Sequence, residues 1–375
     1  MNFIIQHIAT VIEKYDASVP LAIFLKAYFK EQPKIGSRDR KAISEGVYIY
    51  YRSALFVDNS LPLEQQLQQG YLLCESQNSF LGYKLGIDEH VALEDIYAPE
   101  IGVKLSEGVD EEAWLKSHWS QPDVFLRIVN NEGLVLELLE KNEIPFEQEN
   151  IDEITCIRVP NSAPIDKVLF NDDYVIQDRS SQIALLTAKR YWDEPQTIWD
   201  VCAGAGGKTI LLQQLYQNQL KIVASDIRKT ILYNLRARAT AYDLKQIKTK
   251  IIDSTNPENI AQEINQKFDV VLCDVPCTGS GTWSRTPEQL YFFNAEYFDQ
   301  FAHLQYPIAK NATPYVKDGG FLVYITCSVF AHENEGVVEQ LIANEGLKLV
   351  HQEMILGMEL GADTLFVAVL QKVKS

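Results

Sequence analysis

Beyond residue 181, short apolar segments typical of buried strands alternate with segments in which apolar residues recur at helical spacing. This alternation predicts an α/β fold with a doubly wound, mainly parallel sheet of seven strands. The predicted strands are Thr197–Val201, Lys221–Asp226, Thr249–Asp253, Asp269–Asp274, Gly320–Cys327, Lys348–Val350 and Thr364–Leu370. The predicted helices are Thr209–Gln219, Ile231–Ala241, Pro257–Gln266, Ala295–Tyr315 and Glu333–Asn344. Ligands of such sheets bind at the carboxyl ends of the strands, where we expect the functional residues.

The amino-terminal part, residues 1 to about 120, is predicted to be all helical. Apolar residues recur at helical spacing between Ile4 and Ile12 and between Leu21 and Tyr28, and a third helix is predicted to begin near Ser37. The acidic residues 88–112 are predicted to form a linker or an exposed hairpin of helices.

A small α+β subdomain is predicted for residues 121 to 180. Strand patterns at Phe125–Val129 and Ile154–Val159 flank a helical pattern at Glu132–Asn142, which together predict a β-α-β unit. The chain is therefore predicted to consist of three parts, residues 1–120, 121–180 and 181–375.

The formal net charge of −17 argues against a nucleic-acid partner, since phosphate contacts need Lys and Arg. The charge is unevenly spread, however. Residues 88–112 hold nine acidic residues against Lys104, whereas residues 221–250 hold eight basic and two acidic residues. A basic nucleic-acid-binding face and a merely solvated helix face are both compatible with the second stretch.

Other features of the composition predict a cytoplasmic protein without a metal site. No apolar run approaches the roughly 18 residues of a membrane span, and the first residues lack the basic region and cleavage site of a signal peptide. No cysteine pair has CxxC spacing, and the closest pair, Cys273 and Cys277, has no accompanying histidines. A zinc site is therefore not expected.

A glycine-rich loop follows the first strand of the predicted sheet and leads directly into a helix. It reads Cys202-Ala203-Gly204-Ala205-Gly206-Gly207-Lys208, and its glycines let the backbone approach a ligand closely. A Walker A loop would need a glycine at the position of Cys202, so that reading fails. The dinucleotide pattern G-x-G-x-x-G matches only in part, because Thr209 stands at its last glycine.

The next three strands are each followed by, or end in, a carboxylate: Asp226, Asp253 and Asp274. In this order, the carboxylates could meet the ribose hydroxyls, the adenine amino group and the ammonium of a methionine-derived cofactor. Such a set favours the positively charged S-adenosylmethionine over NAD or ATP, whose phosphates need an anion cradle. Alternatively, strand-end Asp residues cap the helices that follow them.

Two cysteines stand just beyond neighbouring strand ends, in Asp274-Val275-Pro276-Cys277 and in Thr326-Cys327-Ser328. Adjacent strands lie about 4.8 Å apart, so both thiols could flank one bound base. A thiolate that adds to carbon 6 of cytosine makes carbon 5 nucleophilic enough to accept a methyl group. The alternative reading, a small buried apolar residue, is preferred for Cys74, Cys156 and Cys273.

Together these motifs resemble those of the Rsm/Nop family of RNA cytosine-5 methyltransferases. The resemblance rests on Phe125–Asn130, Val175–Gln182, the Gly-Gly-Lys-Thr loop, residues 274–281, Thr326-Cys327-Ser328 and Glu333-Asn334-Glu335. It implies a Rossmann-like class I methyltransferase domain that follows a NusB-like helical domain, with S-adenosyl-L-methionine as cofactor and RNA as substrate.

The resemblance also implies a division of roles among the site residues. Cys327 takes the position of the family's nucleophile, and Cys277 takes that of the cysteine that assists product release. Asp274 would also hydrogen-bond the activated cytosine, and Lys208 would lie in the catalytic pocket. In the family the loop usually reads Cys-Ala-Ala-Pro-Gly-Gly-Lys, so this chain lacks its proline but keeps its glycines and lysine.

The implied partner is ribosomal RNA or an assembling small ribosomal subunit, and we expect a monomer that does not bind membranes. Trp283 and Arg285, just past the Pro-Cys loop, could stack on or steer the nucleotide, or could simply pack in the interior. Two other functions stay open: a DNA cytosine-5 methyltransferase with Cys277 as nucleophile, and a non-catalytic RNA-binding factor of ribosome assembly.

Overall fold

The computed structural model describes residues 2–294 and 298–373. The chain forms two compact units. Unit 1 comprises Met1–Val103, Asp110–Gln121 and Thr282–Ala295, and unit 2 comprises Lys104–Val109, Pro122–Gly281 and Glu296–Ser375. Each unit is described by itself below.

Helices and strands are numbered along the chain. The helices are α1 (Phe3–Lys14), α2 (Leu21–Glu31), α3 (Ser37–Ser53), α4 (Leu63–Leu73), α5 (Ser79–Leu85), α6 (Glu111–Ser117), α7 (Glu132–Lys141), α8 (Ile165–Val168), α9 (Arg179–Lys189), α10 (Gly207–Leu215), α11 (Lys229–Ala241), α12 (Pro257–Glu263), α13 (Glu288–Tyr291), α14 (Phe298–Ala312) and α15 (Glu335–Asn344). The strands are β1 (Val124–Ile128), β2 (Glu147–Ile151), β3 (Ile154–Val159), β4 (Tyr174–Ile176), β5 (Thr197–Asp200), β6 (Lys221–Asp226), β7 (Ile247–Ile251), β8 (Phe268–Asp274), β9 (Val316–Thr326), β10 (Leu347–Ile355) and β11 (Leu365–Lys372).

Unit 1 is helical, as the apolar spacing of its sequence predicts. The apolar face of α1, with Ile5 and Ile8 fully buried, packs in one core with Leu21 of α2 and Val47 of α3. The acidic stretch is an irregular, mostly exposed segment up to α6 and contains no pair of helices. The NusB-like character of this unit stays a prediction.

The segment Thr282–Ala295 belongs to unit 1, although it lies far along the sequence, between β8 and β9. Glu288 is buried, and its Oε1 accepts a hydrogen bond from the backbone N–H of Leu21 at the start of α2 (3.2 Å). The ring of Tyr291 contacts that of Tyr51 with 5.2 Å between centroids. The sequence patterns did not predict this association, because it joins residues that are distant in the chain.

Unit 2 contains a four-stranded antiparallel sheet in the order β2-β3-β1-β4. The predicted strands and helix correspond to β1, β3 and α7, but the predicted β-α-β arrangement is wrong, because β1 and β3 run antiparallel. The missed strand β2 forms a hairpin with β3, and Asp152 in its turn has a φ of +48°. Its sequence, EQENI, is almost wholly exposed and therefore has no apolar pattern.

The second sheet of unit 2 has seven strands in the order β10-β11-β9-β8-β5-β6-β7. The five strands from β7 to β9 in this order are parallel, and β11 and β10 are antiparallel additions. The predicted α/β fold with a mainly parallel seven-stranded sheet is confirmed. Buried side chains such as Trp199, Phe268 and Tyr324 fill the space between this sheet and its helices.

Most strands of this sheet and the helices that pack on it begin and end within a few residues of their predicted bounds. The predicted helix Ala295–Tyr315 corresponds to α14, and its first three residues lie outside the described part of the chain. The division into three domains stays a prediction, since the compact units divide the chain differently. Within the described residues, no helix is long and apolar enough to cross a membrane.

Gly281 allows a test of the packing in unit 2. A Cβ atom at this position would lie 1.9 Å from the carbonyl oxygen of Thr364, so Gly281→Ala forces the backbone to shift. We expect the substitution to lower the free energy of unfolding by about 1–3 kcal/mol, the usual cost of overpacking. Urea denaturation measures this change.

Gly133→Ala is the matched control, because a Cβ atom at this helical position meets nothing within 4 Å. We expect it to leave the stability unchanged or to raise it by about 0.5–1 kcal/mol. Equal destabilisation by the two substitutions would contradict the close contact at Gly281.

Candidate active site

One cleft of about 830 Å³ lies at the carboxyl ends of the parallel strands of unit 2. Nearly all of the residues predicted to form the site line it. They are Cys202, Ala203, Gly204, Ala205, Gly207, Lys208, Asp226, Asp253, Asp274, Cys277 and Cys327. The structure therefore brings the predicted cofactor loop, the three carboxylates and the two cysteines together, while their individual roles stay predictions.

Gly206 is the one predicted cofactor-binding residue that does not line the cleft. It has a φ of +85° and immediately precedes α10. A Cβ atom there would lie 2.7 Å from Cγ of Leu235, so both the backbone conformation and the space require glycine. Gly206 thus shapes the turn between β5 and α10, while neighbouring residues of the loop face the cleft.

Asp226 connects the end of β6 to the glycine-rich loop. Its Oδ2 accepts a hydrogen bond from the N–H of Gly204 (3.1 Å), and Arg228 donates to both of its carboxylate oxygens (2.9 Å each). Burial raises the pKa of Asp226, but the hydrogen bonds from Arg228 outweigh it, and the pKa is lowered. The ion pair with Arg228 was not predicted from the sequence.

Asp253 lies two residues beyond the end of β7, which begins and ends two residues earlier than the predicted strand. Its Oδ1 accepts hydrogen bonds from the backbone N–H (3.0 Å) and the hydroxyl (2.6 Å) of Thr255. The alternative reading of a strand-end Asp, as the cap of the following helix, does not apply to Asp253, because the side chain of Asn256 caps α12. The residue still lines the cleft.

Lys208 and Asp274 form an ion pair in the floor of the cleft, with 2.8 Å between Nζ and Oδ2. The lysine side chain is only 9% exposed. Burial disfavours the ammonium, but the charge of Asp274 and its hydrogen bond outweigh this effect and raise the pKa of Lys208. Lys208 therefore carries a positive charge beside the cleft at neutral pH.

Asp200 lies beneath the loop and was not among the predicted site residues. It is fully buried at the end of β5, where the hydroxyl of Thr209 donates to its Oδ2 (2.5 Å). Burial raises the pKa of Asp200 to about 7. Its position at the end of a strand is the signal that could have drawn attention to it.

The sulfur atoms of Cys277 and Cys327 lie 3.3 Å apart, and both cysteines are free thiols. They meet because β8 and β9 are parallel neighbours with Asp274 opposite Ile325, so the segments that follow leave the sheet side by side. The N–H of Gly281 also donates to the carbonyl of Cys327 (2.9 Å). The prediction that these two strands are neighbours is confirmed.

Glu333 and Gln305 form hydrogen bonds with the residues on either side of Cys277. The carboxylate of Glu333 accepts hydrogen bonds from the N–H (2.9 Å) and hydroxyl (2.6 Å) of Thr278 and from Nε2 of Gln305 (2.8 Å). The same amide of Gln305 donates to the carbonyl of Pro276 (3.1 Å). Glu333 was noted only as part of a motif, and the sequence carried no signal for Gln305.

Trp283 does not face the cleft. It is 2% exposed and packs within unit 1 against Trp114 and Phe293, with 6.0 and 5.1 Å between ring centroids. The expectation that it stacks on a nucleotide is therefore wrong, and the alternative reading, packing in the interior, is correct.

Most of the residues that line this cleft lie in a part of the sequence that matches a known protein family. Residues 191–368 match the family model described as 16S rRNA methyltransferase RsmB/F. This part of the chain is similar in sequence to the RsmB/F methyltransferases. The match includes the glycine-rich loop, the three carboxylates and both cysteines of the cleft.

Two relatives illustrate the similarity. The chain is 28% identical over 268 residues to the ribosomal RNA small subunit methyltransferase B of Proteus mirabilis, which covers 70% of this chain and 62% of that protein. It is 30% identical over 194 residues to the 28S rRNA (cytosine-C(5))-methyltransferase of Mus musculus, which covers 50% of this chain and 23% of that protein. The chain thus spans less than two thirds of the length of these relatives.

The fold is also similar to that of a solved structure. The crystal structure of PH0851 superimposes with a TM-score of 0.69 at 20% sequence identity, covering 98% of this chain and 97% of that one. At this level of identity the similarity concerns the fold alone.

The distance between the two thiols can be tested chemically. Diamide, which accepts two electrons and two protons, should convert them to an intramolecular disulfide, because the sulfurs already lie 3.3 Å apart. Peptide mass spectrometry without reduction should find Cys277 linked to Cys327. Cys273, which is fully buried, is the control and should stay unlinked; a digest in which the two site cysteines remain separate would contradict the geometry.

Proposed function

We propose that this protein methylates carbon 5 of cytosine in RNA, with S-adenosylmethionine as methyl donor and Cys327 as covalent nucleophile. The observation that carries the proposal is the pair of free thiols, 3.3 Å apart, at the edge of a cleft that also contains three carboxylates. A methyl transfer to an unactivated pyrimidine carbon needs a nucleophile of this kind, and cysteine is the most nucleophilic of the common choices.

The residues of the cleft fit the proposed cofactor. The loop from Cys202 to Lys208 and the carboxylates of Asp226 and Asp253 line the same cleft. In the proposed complex, the loop backbone approaches the cofactor closely, Asp226 accepts hydrogen bonds from the ribose hydroxyls, and Asp253 accepts one from the adenine amino group. Arg228, whose side chain is 61% exposed, can turn away from Asp226 when hydroxyl groups replace it. When bound, the cofactor supplies an electrophilic methyl group on a positively charged sulfur.

The protein residues account for the remaining steps. The Cys327 thiolate forms a bond to carbon 6 of cytosine, and carbon 5 becomes the nucleophile that takes up the methyl group. Asp274 accepts a hydrogen bond from the activated base, and Lys208 holds Asp274 in place. A base then removes the proton from carbon 5, the bond between sulfur and carbon 6 breaks, and Cys277 assists the release of the product.

The substrate of the proposed reaction is RNA, in particular ribosomal RNA of the small subunit. The family description and the name of the Proteus mirabilis relative support this choice. The target cytosine must leave its stack to reach Cys327, so we propose a single-stranded or loop cytosine. We further propose a cytoplasmic monomer, since a reducing compartment keeps both cysteines free.

Single substitutions of the two cysteines test the mechanism. We expect Cys327→Ser to lose methyl transfer by at least about a thousandfold, because no nucleophile remains for carbon 6. We expect Cys277→Ser to accumulate a covalent protein–RNA complex that migrates slowly in a denaturing gel, because release is impaired.

The opposite pattern of activities would favour the alternative function, a DNA cytosine-5 methyltransferase with Cys277 as nucleophile. If Cys327→Ser stays active and Cys277→Ser does not, Cys277 is the nucleophile. If neither variant differs from the unmodified protein and ribosomal RNA acquires no methyl group, as judged by bisulfite sequencing with and without the gene, the chain is a non-catalytic RNA-binding factor.

The basic stretch of residues 221–250 provides a candidate contact surface for RNA phosphates. Lys229 on α11 and Lys248 on the edge strand β7 are exposed, as is Tyr233 (71%). We expect Lys229→Glu combined with Lys248→Glu to weaken RNA binding. The slope of log affinity against log salt concentration should become less steep by the amount expected for the loss of about two phosphate contacts.

Lys348→Glu is the control for this surface. Lys348 is exposed on β10, which forms the opposite edge of the same sheet. Fluorescence titrations with ribosomal RNA fragments at several salt concentrations measure both variants. If the double variant binds like the control, residues 221–250 are a solvated helix face.

A further inference from the structure

The proposed reaction requires one of two chemically identical groups to be ionised. Cys327 must be a thiolate to attack carbon 6, whereas Cys277 takes no part in that attack and need not be ionised. The two sulfurs lie 3.3 Å apart, too close for both to be ionised without strong repulsion. Something in the surroundings must therefore decide which thiol loses its proton.

A buried carboxylate lies on the side of Cys277. Glu333 is fully buried, and its carboxylate oxygens accept three hydrogen bonds. Two of these bonds come from Thr278, the next residue after Cys277, and Gln305 links the third to Pro276 on the other side. The carboxylate is therefore hydrogen-bonded directly to Thr278 and linked through Gln305 to Pro276, the two neighbours of Cys277.

A buried ammonium lies on the side of Cys327. Lys208 lines the same cleft, and its charge interacts favourably with a Cys327 thiolate. Lys208 is paired with Asp274, which holds the ammonium in place and offsets part of its charge. A negative group is thus hydrogen-bonded to the loop of Cys277, and a positive group interacts with Cys327.

We propose that Glu333 is a positioning residue that selects the nucleophile: it fixes the loop of Cys277 and keeps this thiol neutral, so that Cys327 carries the negative charge. The proposal rests on the proposed function, because it explains how that reaction uses two thiols. It assigns a role to a residue that is not among those lining the cleft.

The electrostatic surroundings of Cys277 agree with this role. Its hydrogen bond with Cys327, its burial and the charges of Cys327 and Glu333 together raise the pKa of Cys277 well above the usual value. Tyr324, whose hydroxyl donates to the carbonyl of Glu333 (2.6 Å), also interacts electrostatically with Cys277. A raised pKa means that Cys277 stays protonated at neutral pH and loses its proton only in more alkaline solution.

Alkylation of the full-length protein by iodoacetamide tests the proposal without RNA or cofactor. Rates are followed at each cysteine by peptide mass spectrometry between pH 6 and 10. In Glu333→Gln we expect Cys277 to react about tenfold faster near neutral pH, because loss of a nearby negative charge lowers a thiol pKa by about one unit or more. The rate at Cys327 should not rise with it.

Two further variants separate charge from structure. Glu333→Asp keeps the negative charge, so the alkylation of Cys277 should stay slow. Thr278→Val removes one hydrogen bond to Glu333 but no charge, so the alkylation of Cys277 should also stay slow. If Glu333→Gln leaves Cys277 as slow as in the unmodified protein, or if Thr278→Val accelerates it equally, the charge of Glu333 does not select the nucleophile.

Lys208→Met provides an independent measurement if Glu333→Gln does not fold. Removal of the positive charge should slow the alkylation of Cys327 about tenfold near neutral pH and leave Cys277 unchanged. An unchanged Cys327 would overturn the proposal. Because these measurements need no substrate, failure of methyl transfer to RNA would refute only the proposed function.

Discussion

The parallel pairing of β8 with β9 is the contact on which the candidate site depends. It places Asp274 opposite Ile325, so the two segments that carry Cys277 and Cys327 leave the sheet at the same edge. Neighbouring strands are only about 4.8 Å apart, which leaves the thiols no room to lie far from each other. The buried side chains on both faces of the sheet keep this pairing in register, since a slip by one residue would turn every side chain to the opposite face.

Charged side chains of both signs line the cleft. Asp226, Asp253 and Asp274 are acidic, and the ammonium of Lys208 is paired with Asp274. Glu333 adds a buried negative charge behind Cys277. The acidic composition of the whole chain therefore says little about the site, where a few buried charges with fixed partners determine the chemistry.

Much of the fold follows from periodicity alone. The strands and helices of the seven-stranded sheet were predicted within a few residues, because buried parallel strands form apolar runs and their helices have apolar faces. The prediction failed where these patterns are missing. The exposed strand β2 has no apolar alternation, and its omission led to a β-α-β unit in place of an antiparallel sheet. Residues 282–295 join unit 1 through contacts with distant parts of the chain, which no local pattern reveals.

The sequence by itself determined the residue types of the site and the strand ends at which they stand, because the carboxyl ends of parallel strands meet at one edge of a sheet. Only the tertiary structure decided how these residues are paired. Arg228 on Asp226, Lys208 on Asp274 and Glu333 behind Cys277 are contacts between side chains whose directions depend on packing. It also decided that Trp283 is buried, because burial depends on elements far away in the chain.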